Sequence, residues 1–308
     1  MTTDHTQRIE LAKRSLTGVS MGDAFGDHFF GDAGMIAESL AERKIPSGKW
    51  EFTDDTVMSI AILDELEISG GIDQDRLIRR FCVNHDLDPN RGYGATLRKL
   101  LREVGEGQDW QTVSKQVFDG QGSMGNGAAM RVCPIGAYYA DDLQNVKTLA
   151  VRSAEVTHAN PEALAGAMSA AVATALASRI KQEGSYPAPL DFIDAILREL
   201  PPSDTTSKIA KAKSVPYTYH IETVRKILGN GVNMTAQDTV PFVIWCAAHN
   251  LENFEEALWK AVSVLGDRDT ICAMVAGITI MSCHDASVPK SWLDSVESFE
   301  KSDFRRSI

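Results

Sequence analysis

Two short stretches carry residue types suited to metal-dependent chemistry. Phe52-Thr53-Asp54-Asp55-Thr56 precedes the apolar run Val57 to Leu63, and Gly266-Asp267-Arg268-Asp269-Thr270 precedes the run Ile271 to Ile280. A helix start leaves amide groups unpaired, and one Asp or Thr oxygen is enough to cap it. Each stretch instead holds two carboxylates with hydroxyls beside them. Brought together, these carboxylates repel one another unless cations lie between them. A site of Asp and Thr oxygens, without His or Cys, suits Mg²⁺ or Mn²⁺ rather than Zn²⁺. The pair of stretches predicts a two-metal oxygen site.

A third stretch, Gly122-Ser123-Met124-Gly125-Asn126-Gly127-Ala128-Ala129-Met130-Arg131, reads as a small-residue loop opening a helix that runs through Tyr139. Exposed amides and the helix dipole there suit an anion without basic side chains. It matches neither a Walker A loop, lacking the Gly-Lys-Ser/Thr, nor a dinucleotide fingerprint, lacking a preceding strand. Arg91-Gly92-Tyr93-Gly94 places an aromatic between glycines, a loop able to stack on a base or sugar as well as a plain turn. His158 stands just before the helix start Asn160-Pro161, as a packing residue or as a ligand contact.

The elements that must position these groups read as helices throughout. Gln7 to Phe29 carries Gly18, Gly22 and Gly26 four apart, one face on which another backbone can approach closely. Asp23 and Asp27 form an acidic line on the same segment, and Asp27 is the one favoured for a functional role. Further helices are expected over Ile36–Lys44, Asp73–Asn84, Ala95–Val104, Trp110–Phe118, Asp142–Thr157, an Ala-rich helix from Pro161, Pro187–Leu200, Ile221–Leu228, Val240–Ala248, Phe254–Val264 and Arg268–Cys283. After Leu63 the residues Asp64, Glu65 and Glu67 are expected to mark emergence into solvent. Pro201–Tyr219 reads as a long surface connection, and the tail from Asp285 as polar apart from Trp292 and partly mobile. No strand alternation of any length occurs, so residues 1–308 predict one all-α domain.

Composition narrows the function classes. With 31 basic and 42 acidic residues the formal charge is −11, a poor match for gripping nucleic acid through its phosphates. The 5 cysteines are scattered in apolar surroundings and read as free thiols of a reducing compartment. The N-terminal residues lack an apolar signal region. The stretch Ala163–Ala177 is short for a membrane span, so a soluble cytoplasmic protein is expected.

Together the motifs resemble the ADP-ribosylglycohydrolase family. Gly22-Asp23-Ala24-Phe25-Gly26, Thr53-Asp54-Asp55-Thr56, Gly125-Asn126-Gly127-Ala128-Ala129-Met130-Arg131, His158 and Gly266-Asp267-Arg268-Asp269-Thr270 fall in that family's order over nearly the whole chain. The resemblance implies an orthogonal, compact helical domain with a dinuclear Mg²⁺ centre between helix N-termini. It implies cleavage of the glycosidic bond joining ADP-ribose to a modified side chain, the arginine N-glycoside being favoured. Thr53, Asp54, Asp55, Asp267, Asp269 and Thr270 would hold two Mg²⁺, with Mn²⁺ as the alternative ion. Gly125, Asn126 and Gly127 would cradle the pyrophosphate, with His158, Tyr93 and Gly94 near the ligand. Many relatives carry a Glu after the first helix. Here Gly26–Asp32 has none, so Asp27 is expected to substitute, with Asp55 and Asp269 as the other catalytic carboxylates. The partner implied is an ADP-ribosylated protein or a small ADP-ribose conjugate. Two other readings stand beside this: a weak relative that binds ADP-ribose or a protein, and a metal-dependent hydrolase of another phosphorylated sugar or nucleotide.

Overall fold

The computed structural model describes residues 4–305. Among them no β-strand forms, only isolated bridges at Trp50–Val296 and Gly125–Thr235. The chain begins with α1 (His5–Asp27), α2 (Ala33–Glu42), α3 (Asp54–Ser69), α4 (Gln74–Leu87), α5 (Ala95–Gly105) and α6 (Trp110–Gly120). It continues through α7 (Cys133–Tyr138), α8 (Leu143–Glu155), α9 (Pro161–Glu183), α10 (Pro189–Leu197) and α11 (Asp204–Ala212). The last elements are α12 (Ile221–Leu228), α13 (Ala236–His249), α14 (Phe254–Val262), α15 (Arg268–Ser282) and α16 (Lys290–Ser295).

The centre of the packing is α1 against α15. The glycine stripe faces the α15 backbone in antiparallel register. A Cβ at Gly18 would lie 2.5 Å from Ala276 O, at Gly22 2.1 Å from Cys272 O, and at Gly26 2.4 Å from Arg268 O. No larger residue fits this contact without moving a backbone. The consequence for function is geometric, because the C-terminal half of α1 is brought beside the N-terminus of α15. Helix α3 is buried along its first three turns and packs on α1. That completes the convergence of both acidic stretches on one end of α1.

Helix α9 is long and apolar enough to cross a membrane by length and composition, yet most of it is buried within the protein. Its small side chains, such as Ala167, Ala170 and Ala171, are fully covered. All five cysteines are free, and Cys133, Cys246, Cys272 and Cys283 are buried.

Four expectations are corrected. Pro201–Tyr219 is not a bare connection, since α11 forms within it. Ser203 caps that helix through the Thr206 amide, Glu162 accepts from the Asp204 and Thr205 amides, and Thr205, Ile209 and Ala212 are buried on one face. Asp64 and Glu65 do not emerge into solvent. Asp64 pairs with Arg80 and Arg305, and Glu65 with Arg76. The tail packs closely: Trp292 is buried and stacks on Phe25 with centroids 4.7 Å apart, and Phe299 and Phe304 are buried too. Finally, the glycine-rich stretch opens only a 3₁₀ turn at Asn126–Ala128, and α7 starts later, at Cys133. The helix dipole invoked for that loop is therefore missing. The Asn126 amide donates to Met234 O, which fixes the place of the turn.

Candidate active site

Neither acidic stretch caps its own helix. Thr53 and Asp267 occupy the N-cap positions of α3 and α15, and neither side chain makes a cap hydrogen bond. At α3 the capping comes from another helix. Asp23 of α1, fully buried, accepts from the Thr53 amide at 2.9 Å and the Thr56 amide at 3.1 Å. It also accepts from both threonine hydroxyls. Burial pushes the Asp23 carboxyl up to about 6, against the pull of those Thr56 and Thr53 hydrogen bonds. Asp23 is a site residue that the sequence reading passed over in favour of Asp27.

With capping delegated to Asp23, the carboxylates of the stretches are left facing one another. Asp55 Oδ2 lies 3.3 Å from the Thr53 hydroxyl and 3.3 Å from the Thr270 hydroxyl, so the two stretches meet at this atom. Asp55 Oδ1 and Asp269 Oδ1 are buried without a hydrogen-bond partner. Burial first, and then the charge of Asp23 and Asp267, pushes the Asp54 carboxyl up to about 8. Asp55 and Asp269 are raised well above the usual carboxylate range by burial and by their acidic neighbours. Asp267 is raised by burial and restrained by the Asn126 amide. Such a cluster is stable only with protons or cations on it. Among the described residues no three His, Cys, Asp or Glu side chains are arranged to enclose a metal ion. The orphaned oxygens and the all-oxygen donor set nevertheless fit hard divalent cations.

These carboxylates form the floor of a cavity of about 700 Å³. Asp54, Asp55, Asp267, Asp269 and Thr270 line it, while Thr53 sits just behind, its hydroxyl given to Asp23. Gly94, Gly125, Asn126, Gly127 and His158 also line it. The Asn126 side chain, however, turns from the cavity to the floor. Its amide nitrogen donates to Asp267 Oδ2 at 2.6 Å and to the Thr239 hydroxyl at 3.0 Å. The loop is pinned by Asn126 N to Met234 O and Ala236 N to Met124 O. Among the described residues no lysine or arginine lines the wall.

Two expected residues lie elsewhere. Asp27 is exposed at the C-terminal end of α1 and does not line the cavity. The Tyr93 ring is not available for stacking. It is buried behind the wall and meets His85 edge-on at 5.0 Å. Its neighbours Gly92 and Gly94 reach the cavity instead, and Gly94 is a side-chain-free N-cap that leaves the start of α5 open. The aromatic on the wall is Phe118, which is 56% exposed with φ +53°. Met234, also in the left-handed region, lines the wall near it. Both spend local strain to stand at the rim. The helix expected through Phe118 loses helical geometry at Val117, Phe118 and Asp119, inside the bounds of α6, and Gly120 just after them is the turn residue in the sequence.

The comparisons with known proteins follow this geometry. A family model described as ADP-ribosylglycohydrolase matches residues 4–307. The chain is 31% identical over 282 residues to "ADP-ribosylhydrolase ARH3" of Homo sapiens, covering 82% of this chain and 76% of that protein. It is 20% identical over 316 residues to "ADP-ribosylarginine hydrolase Tri1" of Serratia proteamaculans, covering 96% and 78% respectively. A solved structure titled "ADP-ribosylglycohydrolase-related protein complex" superposes with a TM-score of 0.66 at 20% identity, covering 98% of this chain and 96% of that one. At that identity the likeness speaks for the fold.

Proposed function

Since the chain belongs to the ADP-ribosylglycohydrolase family, we propose that this cavity removes ADP-ribose from a conjugate by hydrolysis at the distal ribose, with two divalent cations on its floor. The observation that carries the reading is the set of buried carboxylates with unpartnered oxygens at Asp55 and Asp269. Thr53, Asp54, Asp55, Asp267, Asp269 and Thr270 would hold the ions, Mg²⁺ first and Mn²⁺ as the alternative. When bound, such ions supply charge neutralisation and Lewis acidity toward ribose hydroxyls and water.

The chain's own groups do the rest. The open start of α5, at Gly94, Ala95 and Thr96, offers amides to a phosphate without a basic side chain. Gly127 backbone and the His158 ring edge border the same space. Phe118 stands where a nucleobase can lie on its face. In the hydrolysis, water oxygen bonds to the anomeric carbon, the bond to the leaving group breaks, and the leaving group gains a proton. With Asp27 off the wall, a carboxylate of the floor takes the proton lost by water and passes it to the leaving group, so that the step balances.

The favoured arginine linkage finds no support in the wall. Every acidic residue lining the cavity belongs to the floor cluster, so none is left to hold a guanidinium. A hydroxyl-linked conjugate needs no such counter-ion and is the linkage this wall supports. The test is release of ADP-ribose from arginine-linked, serine-linked and acetyl-linked substrates, with Mg²⁺ and with chelator. Release from the hydroxyl-linked arms, abolished by chelator, is the expected result. Release from arginine alone would overturn the linkage, and tight ADP-ribose binding without turnover on any arm would overturn the hydrolase reading.

A further inference from the structure

Arg131 is a fully buried cation that belongs neither to the floor nor to the cavity wall. It lies over the Phe81 ring at 4.8 Å, and its guanidinium donates to Gly127 O at 3.1 Å and Ser153 O at 2.6 Å. Its remaining strong hydrogen bond runs from Nη2 to the Thr157 hydroxyl oxygen at 2.9 Å. That same oxygen lies 2.7 Å from Nδ1 of His158. The three groups form a line from the interior to the cavity. At its outer end the His158 ring lies against Gly125 and Gly127, so closely that a Cβ on Gly125 would come within 3.0 Å of Nε2.

The protons along this line can be counted. A guanidinium only donates, so Thr157 must accept from it. The threonine hydroxyl then has one proton of its own to place. One acceptor is His158 Nδ1 at 2.7 Å. The other is Ala154 O at 3.5 Å, which already receives the Thr157 and His158 amides. The short contact is the better one, which makes Nδ1 an acceptor and leaves the ring proton on Nε2. The alternative, Nδ1–H donating to Thr157, would crowd two donors onto one oxygen and strand the hydroxyl proton on the long contact. We propose that Arg131, acting through Thr157, is a positioning residue that holds His158 in the Nε2–H tautomer, so that the ring presents a hydrogen-bond donor to an anionic ligand in the cavity. Burial and the neighbouring guanidinium act in the same sense by holding the ring uncharged, its pKa pushed down to about 3. The wall thus gains a directed donor for a phosphate oxygen without placing a cation there. The guanidinium stays one hydroxyl behind.

That the ligand is a nucleoside diphosphate sugar rests on the function proposed above, whereas the tautomer does not. The experiment therefore reads both. Imidazole nitrogen chemical shifts of ¹⁵N-histidine-labelled full-length protein report the His158 tautomer without ligand, and calorimetry with ADP-ribose reports binding. Wild type is expected to show Nε2–H, and Thr157→Ser, which keeps the hydroxyl, to match it. Thr157→Val and Arg131→Met are expected to give a mixture with Nδ1–H and to weaken ADP-ribose roughly tenfold. Rescue by Thr157→Ser separates the hydroxyl's role from packing. An Nδ1–H or charged ring in wild type, or an unchanged tautomer in Thr157→Val, overturns the proposal. If Arg131→Met does not fold, the Thr157 pair decides, because Thr157 is the hydrogen-bonded link between guanidinium and ring. Wild-type protein with the Nε2–H ring that fails to bind ADP-ribose would leave the relay standing and remove the nucleotide reading.

Discussion

The starts of α3 and α15 look alike in sequence and are held in different ways. The α3 start is held by the scaffold. Asp23 takes its amides and hydroxyls from within α1, and the Asp54 amide donates to Arg91 O. The Arg91 side chain donates to Phe52 O and pairs with Glu297 of the tail. The α15 start also rests on α1, where Gly26 backs onto Arg268 O, and it is tied to loops besides. The Asp267 amide donates to Asn230 O, and Asp267 Oδ2 accepts from Asn126, a residue of the ligand-facing loop. Both halves of the floor thus rest on α1, but the α3 start meets the wall through a backbone bond to the Arg91 loop, and the α15 start through the Asn126 side chain. Two matching acidic motifs can divide the work between rigidity and response.

Replacing one carboxylate in each half should sharpen this division. Asp55→Asn is expected to lower kcat/KM by about 10³-fold, the largest effect in the set, with the fold intact. Asp55 Oδ2 is the atom at which both stretches meet, so added Mg²⁺ should recover little. Asp269→Asn should also be severe but partly recovered as Mg²⁺ is raised, since its half of the floor can adjust. Kinetics across an Mg²⁺ titration provide the measurement. Equal recovery in both variants would break the distinction.

Stability should separate the halves next. Asp23→Asn keeps the shape but gives up acceptor capacity beneath the α3 start, leaving buried Thr53 and Thr56 donors unpaired. A loss of ~3 kcal/mol in urea unfolding is expected, with no change in slope. Asp269→Asn, which removes a buried repelling charge, should be neutral or stabilising in chelator.

The pH dependence of the metal-free protein follows from the raised carboxyls. Asp54 moves from 3.8 to about 8, so the folded state holds a proton that the unfolded state releases. Stability from that group is present below 3.8 and is lost as pH rises toward 8, at up to about 1.4 kcal/mol per pH unit. The melting temperature in chelator should fall across that window, and Mg²⁺ should flatten the fall. A flat profile in chelator would mean that the floor carries no mutual repulsion.

Coupling between floor and wall gives a smaller effect. Asn126→Ala cuts the amide link to Asp267. Mg²⁺ should then strengthen ADP-ribose binding roughly tenfold less than in wild type, and by linkage ADP-ribose should strengthen Mg²⁺ binding less to the same degree. An unchanged coupling would assign Asn126 to holding the loop alone.

How much of this was legible in the chain depended on whether the signal was local. The two acidic stretches, the glycine stripe and the Asn160-Pro161 start are each written in adjacent residues, and the structure contains them. The role of Asp23 was not legible, because a cap supplied by another helix leaves no mark near the amides it satisfies. Helix α11 was hidden under Ser, Thr and Lys, its buried face made only of Thr205, Ile209 and Ala212. The tail looked polar because its few aromatics are spaced widely, yet Trp292 finds Phe25 and Trp50 across the fold. The glycine-rich loop misled because small residues before a helix and small residues before a 3₁₀ turn read alike. What fixes the loop's place here is Met234, whose carbonyl accepts from the Asn126 amide from far along the chain.

The smallest expected effect belongs to Asp27, which the sequence favoured over Asp23. Asp23 and Asp27 lie four apart on α1, on the same face. Burial separates them: Asp23 is wholly enclosed under the α3 start, while Asp27 sits at the last turn as an exposed residue, its carboxyl raised by partial burial and held back by His28 beside it. For Asp27 to act as the general base, it would have to reach the water at the floor, yet it does not line that cavity. Asp27→Asn is therefore expected to leave kcat and ADP-ribose affinity within about twofold and the melting temperature nearly unchanged, as for an exposed position. The decisive measurement is kcat at saturating Mg²⁺ over a range of pH, in which loss of a general base removes the acidic limb and loss of a surface charge does not. A large drop in Asp27→Asn, restored by Asp27→Glu, would mean that the end of α1 closes over the floor during turnover. It would then join the α15 start in the responsive half of the site.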